Sequence, residues 1–204
     1  MFVAIHAFLS LFLPMTISLL TLNTGGCSSP LKNASIYTYV KNITSVPDII
    51  FLQETNDLSE KCSCWNVWSS YHPICNPGPT RGSGVTTLLK ENSLCIIENS
   101  VIHDGHILYV KIDLDGAIYH LYNILIPQDD TCALEAISSL SSHSNLRKDG
   151  HIIFGGDFNC TLNPVIDRLC MSTEHRSKIS TALKALIESS QLCDVWRKLH
   201  PFEQ

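Results

Sequence analysis

At 204 residues the chain is long enough for one sizeable core, and one domain is the default. Hydrophobic residues make up 45% and charged residues 16%, which excludes an intrinsically disordered composition. The net charge of -5 argues against binding nucleic acid by bulk electrostatics, but not against an enzyme that grips a few phosphates through a metal ion.

In chain order, residues 2–22 contain no Asp, Glu, Lys or Arg. Their length and apolarity would suit a signal peptide or a single membrane span. However, no basic segment precedes them, Pro14 interrupts the run, and no small-residue cleavage site follows. Residues 1–14 are therefore read as an apolar N-terminal extension, with one domain over 15–204. Ile17 to Leu22 reads as a strand ending at Asn23. Ser29 and Pro30 start a helix as N-cap and first helical residue, and Ile36, Val40 and Ile43 carry its spacing. After Pro47, "DIIFLQET" is a buried strand that ends in Gln53 and Glu54.

Residues 84–90, 93–100, 106–114 and 117–126 read as successive strands, the last two joined at Asp115-Gly116, a strong hairpin signal. Residues 131–143 form a helix, despite the serine-rich run at 138–144. "HIIFGGDFNCTLNP" at 151–164 follows: a short strand over His151 to Phe154, a glycine pair, then Asp157 and Asn159. Two apart in an extended segment, these two side chains would share a face, where they could hold a water, a metal or a phosphate. The plainer alternative is an Asx turn capping its own backbone. Ile179, Leu183, Leu186 and Ile187 mark a later amphipathic helix. Strands joined by hairpins, with helices in the long connections, predict two sheets with flanking helices.

Nine cysteines is an odd count without a regular framework, so reduced thiols in an intracellular protein are expected, with Cys95, Cys160 and Cys193 as small core residues. Cys62, Cys64, His72 and Cys75 could supply four zinc ligands, but Cys-x-Cys is a poor clamp for a tetrahedral ion. Sequons at Asn33, Asn42 and Asn159 matter only in a secreted chain.

Three strands thus end in polar groups of one chemical kind: Asn23, Glu54 and the Asp157/Asn159 pair. Singly each is ordinary, Asn23 as a turn residue and Glu54 as a solvated strand end. In the order "LNTGG", "PDIIFLQET", "YNILIP", "GGDFN", the series resembles the endonuclease/exonuclease/phosphatase superfamily, which includes exonuclease III and apurinic endonucleases. "GGDFNCTLNPVIDR" and "DVWRKLHP" are similar to the endonuclease domain of non-LTR retrotransposons of the long interspersed element kind. The resemblance covers residues 15–204.

It implies an α/β (α+β) fold, a four-layered α/β/β/α sandwich of the DNase I-like type, incomplete at the C-terminus and lacking its last strands. It also implies Mg²⁺-dependent cleavage of phosphodiester bonds, Mn²⁺ being a possible substitute, with DNA as substrate and a nuclear, intracellular location. In that resemblance Glu54 matches the metal ligand, and Asp157 the residue that activates or orients the attacking water. Asn159 matches the residue that helps hold the phosphate, and Asn23 the one that positions the metal-binding carboxylate. Two departures stand out. Leu125 occupies the place of the family's tyrosine in N-x-Tyr-A-P, and Tyr122 lies on the opposite strand face. The Asp and the Ser-Asp-His of the family's last quarter do not occur in these 204 residues, so weak or absent activity is expected. The rival readings are a non-catalytic remnant acting as a binding module, and a secreted or membrane-anchored cysteine-rich protein led by residues 2–22. No stable protein partner is expected.

Overall fold

The structure is a computed structural model that describes residues 4–9, 17–27, 29–43, 46–56, 63–91, 94–144, 149–163 and 177–201. The first sheet has the order β1-β2-β3-β5-β4, from β1 (Ala4–Leu9), β2 (Ile17–Asn23), β3 (Ile49–Gln53), β4 (Tyr71–Asn76) and β5 (Val85–Lys90). The second has the order β6-β7-β8-β9, from β6 (Cys95–His103), β7 (Ile107–Leu114), β8 (Ala117–Leu125) and β9 (His151–Asp157). Both are mixed: β2 with β3 and β8 with β9 run parallel, whereas β3–β5 and the β6–β7–β8 meander are antiparallel.

Strand alternation builds the layers. Leu19, Ile49, Phe51 and Leu89 of the first sheet face Leu108, Val110, Leu121 and Leu125 of the second, and these side chains form the inter-sheet core. The opposite faces are covered by helices. Leu20, Leu22, Ile50, Leu52 and Leu88 pack on α1 (Pro30–Lys41) and on Trp65 and Trp68. Tyr109, Tyr122 and Ile124 pack on α2 (Asp130–Ser144) and α3 (Ser177–Ser189). The result is the expected helix–sheet–sheet–helix sandwich. β3 reads as an apolar run up to its last residue, Gln53, because it is buried on both faces.

The expected elements recur with small changes of boundary. Asp115 and Gly116, both at positive φ, close a two-residue hairpin between Leu114 and Ala117. Three elements were not expected: β1, which pairs with β2 and lies within residues 1–14; β4, whose Pro73 masks a strand at the sheet edge; and the short helix α4 (Val195–Leu199). Pro73 is tolerated because β4 is the outermost strand, so its missing N–H breaks no ladder.

The cysteine expectation needs correction. Cys95 and Cys193 are exposed, and Cys160 is only half-buried against the α2–α3 layer, so they do not behave as core residues. Cys95 is exposed because β6 is itself an edge strand with an outward face. Of the zinc candidates, Cys62 and the side chain of Cys64 lie outside the described residues. Asn33 is buried and its Oδ1 accepts the Trp68 indole N–H at 2.6 Å, so this sequon is not presented to solvent. Among the described residues, no helix is long and apolar enough to cross a membrane.

Candidate active site

The carboxyl ends of β2, β3 and β9 converge on one edge of the sandwich, and Asn23 joins them. Its Nδ2 donates to Glu54 Oε1 at 2.9 Å and to Asp157 Oδ2 at 2.8 Å. One amide therefore spans the two sheets and holds two carboxylates that lie 103 positions apart in sequence. Its own Oδ1 accepts from Gly25 N at 3.0 Å, which fixes the amide's orientation.

Glu54 leaves β3 with φ of 51°, a left-handed conformation uncommon for a residue with a side chain. Two donors from the loop after β2 hold its carbonyl, Thr24 Oγ1 at 3.0 Å and Gly26 N at 2.7 Å. Thr24 N and Cys27 N clasp Gln53 O and Thr55 O in the same way. The loop "NTGG" therefore extends the β2–β3 ladder past the strand ends and stabilises the turn that presents Glu54.

Asp157 ends β9, and both readings of the Asp-x-Asn stretch apply to it at once. Its Oδ1 accepts from Asn159 N at 3.0 Å, an Asx turn, while its Oδ2 takes the bond from Asn23. Asn159 does not continue the strand: its φ is 47°, and its Nδ2 donates to Ile126 O at 2.8 Å. The expectation that Asp157 and Asn159 project from one extended face is thus replaced by a turn that ties the end of β9 to the end of β8. The glycine pair before them has two separate causes. A Cβ on Gly155 would meet the Phe51 ring at 2.8 Å, and Gly156, at φ of 142°, has no room beside the Ile124 carbonyl.

Leu125, at the tyrosine position, is 2% exposed and packs in the inter-sheet core. Tyr122 sits on the other face of β8, against α2, and its hydroxyl pairs with His143 Nδ1 at 3.0 Å. The two-residue periodicity therefore keeps this hydroxyl away from the edge. No histidine among the described residues is hydrogen-bonded to Asn23, Glu54 or Asp157. The turn 103–106, which carries two histidines, binds the end of β8 through Leu125 N to His106 O at 2.8 Å. Burial pushes the His106 imidazole pKa down from its ordinary value, which favours the neutral ring.

Two buried amides next to the site were given no role from the sequence, although Gln53 was read there as a strand end. Gln53, one residue before Glu54, donates from Nε2 to Asn123 Oδ1 of β8 at 2.7 Å. The signal was present: a Gln and an Asn inside otherwise apolar strands must find partners when buried. Basic groups also border the edge on the first-sheet side. Lys32 Nζ donates to Gly25 O at 2.7 Å, and the loop carrying Arg81 is tied to Asn56 through Gly82 N.

The donor set suits a hard divalent cation. Glu54 and Asp157 each place an oxygen within 2.9 Å of one nitrogen, so their like charges are held close together. Mg²⁺ typically binds through one or two carboxylates, keeping several waters and taking further oxygens from a phosphate. Among the described residues no group of three or more His, Cys, Asp or Glu could hold a metal by itself.

No family model matches the chain. It is similar to the uncharacterised 149 kDa protein of transposon TX1 of Xenopus laevis, 28% identical over 189 residues. That match covers 92% of this chain but only 14% of the transposon protein's length. Among solved structures it is similar to the AP endonuclease LMAP of Leishmania major, with a TM-score of 0.70 at 18% identity, covering 91% of this chain and 70% of that one. It is also similar to the catalytic domain of Xenopus laevis APE2, with a TM-score of 0.68 at 16% identity, covering 91% and 73%.

Proposed function

We propose that this chain, which has the fold of the endonuclease/exonuclease/phosphatase superfamily and a transposon-encoded relative, is a divalent-metal-dependent phosphodiesterase domain acting on DNA, of retrotransposon endonuclease type. The observation that carries the reading is the bond pair from Asn23 to Glu54 and Asp157, which makes one site out of two sheets. Glu54 would hold Mg²⁺ or Mn²⁺, which supplies charge neutralisation at the phosphate and the leaving oxygen. Asp157, with one oxygen on Asn23 and the other on the Asn159 N–H, is oriented to accept a proton from an attacking water. Asn159, whose Nδ2 donates to Ile126 O, would hold a phosphate oxygen, and Lys32, beside Gly25, would lie near the nucleic-acid backbone. A DNA substrate goes with a nuclear location in this reading.

In the 204-residue chain, turnover is proposed to be slow. Leu125 has no hydroxyl to offer a phosphate oxygen, and no histidine among the described residues is bonded to Asn23, Glu54 or Asp157. Because members of a catalytic set act as a unit, such losses cost orders of magnitude in rate. The test has two parts. Calorimetry with Mg²⁺ or Mn²⁺ should detect a weak site that disappears in Glu54→Gln, and slow nicking of supercoiled plasmid should vanish in Asp157→Asn. Equal metal binding by the parent and Glu54→Gln would refute the site assignment.

A further inference from the structure

Among the described residues the inter-sheet core is mainly apolar, but buried amide side chains bridge the sheets at two places: Asn76 of β4 donates to Ile107 O of β7 at 3.2 Å, and two further amides pair beside the candidate site. These two are Gln53 and Asn123, 1% and 0% exposed. Asn123 reaches from the second sheet into the first: its Oδ1 accepts from Gln53 Nε2 at 2.7 Å, and its Nδ2 donates to Thr86 O at 3.0 Å, with Leu52 O at 3.3 Å. Leu52 and Thr86 face each other across the β3–β5 ladder, so a single side chain engages two strands of the opposite sheet. The far end of the Gln53 amide is fixed as well, since its Oε1 accepts from Thr21 Oγ1 at 3.3 Å.

This cluster sits beside the candidate site on both sides. Gln53 immediately precedes Glu54, and Asn123 pairs with Gly155, two residues before Asp157 on the same face of β9. Apolar packing is non-directional and tolerates small slides between sheets, whereas buried hydrogen bonds are satisfied in one arrangement only. The bonds from Asn23 to Glu54 and Asp157 need that arrangement, because their donors and acceptors come from different sheets.

We infer that Gln53 and Asn123 are positioning residues: their buried hydrogen bond fixes the register of the two sheets and thereby holds Glu54 and Asp157 on the Asn23 amide. For catalysis, but not for the structural claim, this rests on the hydrolase reading given above.

Gln53→Met is the test variant, because it keeps the side-chain length and removes the donor to Asn123. The readout is the side-chain amide of Asn23 in a ¹⁵N-correlated NMR spectrum of the 204-residue chain, assigned by its loss in Asn23→Asp. In the parent its two protons, each bonded to a carboxylate, should be shifted away from free asparagine amides. In Gln53→Met they should move to free-amide positions while the backbone spectrum stays folded, and kcat for plasmid nicking should fall at least tenfold with KM within twofold. Thr21→Val removes only the hydroxyl behind Gln53 and keeps a β-branched strand residue; it should give the same movement at smaller amplitude, and it decides the matter if Gln53→Met does not fold. Unmoved Asn23 signals in a folded variant, with only a lower Tm, would overturn the proposal. Absence of nicking in the parent, with Asn23 signals that move as expected, would count against the hydrolase reading and not against the positioning role.

Discussion

Leu125 shows how one position separates fold from chemistry. It is buried between the sheets, where a leucine contributes roughly 1.5–3 kcal/mol by leaving water. A tyrosine there adds a hydroxyl, which is worth about 2–4 kcal/mol in catalysis when it acts as a charge-stabilising donor. That gain needs a partner to complete the proton transfers, and no histidine among the described residues is bonded to the three site residues. Leu125→Tyr is therefore expected to leave nicking by the 204-residue chain unchanged within twofold, and to cost roughly 1–3 kcal/mol through overpacking. Plasmid-nicking rates and urea midpoints check the two halves independently. Robust cleavage by Leu125→Tyr alone would mean that the chain already carries a complete acid–base set.

At the scale of the elements, β9 depends on its glycines. A Cβ at Gly155 meets the Phe51 ring of β3, which is side chain and can give, whereas at Gly156 it meets the Ile124 backbone, which cannot. Gly155→Ala should cost roughly 1–3 kcal/mol and Gly156→Ala more. Thermal melts should rank them in that order, at about 2–4 °C per kcal/mol in a chain of this size. The start of β9 is held differently. Asp149, just before the strand, pairs with Lys111 Nζ at 2.7 Å and with His120 Nε2 at 2.9 Å, tying it to β7 and β8. The bond from Lys111 comes first among the causes that lower the Asp149 pKa from its ordinary 3.8 to about 2. A depressed carboxylate pKa means that the stabilisation is present above the ordinary value and lost as pH falls through the folded one. The Tm difference between the parent and Asp149→Asn should accordingly shrink as pH falls from near 4 to near 2. A difference that stayed constant across that window would show that the pair contributes nothing to stability.

For the whole molecule, the site exists only where two sheets present their edges together, so a cation held at Glu54, beside Asp157, should stabilise the sandwich as a unit. A ligand that binds only the folded state adds about 1.4 kcal/mol at ten times its Kd, or roughly 3–6 °C in Tm here. Mg²⁺ should raise the Tm of the parent by that amount and leave Glu54→Gln unmoved. A similar rise in both proteins would place the ion elsewhere. In the proposed reading, an overall charge of -5 is compatible with a polyanionic substrate, because a cation and a few basic side chains would act locally, at one edge.

Much of this was determined by the sequence alone. Continuous apolar runs marked β3 and β9, Asp115-Gly116 marked the hairpin, and Ser29-Pro30 marked the start of α1, because each is dictated by interactions among near neighbours along the chain. Asn23, Glu54, Asp157 and Asn159 were legible as polar groups at strand ends, with a family likeness to join them. β4 was not, since Pro73 hides a strand that only its edge position permits, and β1 was not, since its apolar residues suit an extension equally well. Nor could sequence reveal that Asn23 donates to both carboxylates, that Asn159 turns back to β8, or that Gln53 and Asn123 find each other across the core. Those contacts join residues 31 to 134 positions apart, and they were decided by how one sheet seats on the other. That seating depends on the summed packing of both faces and on the few buried hydrogen bonds that accept only one register, and no local stretch of the chain encodes it.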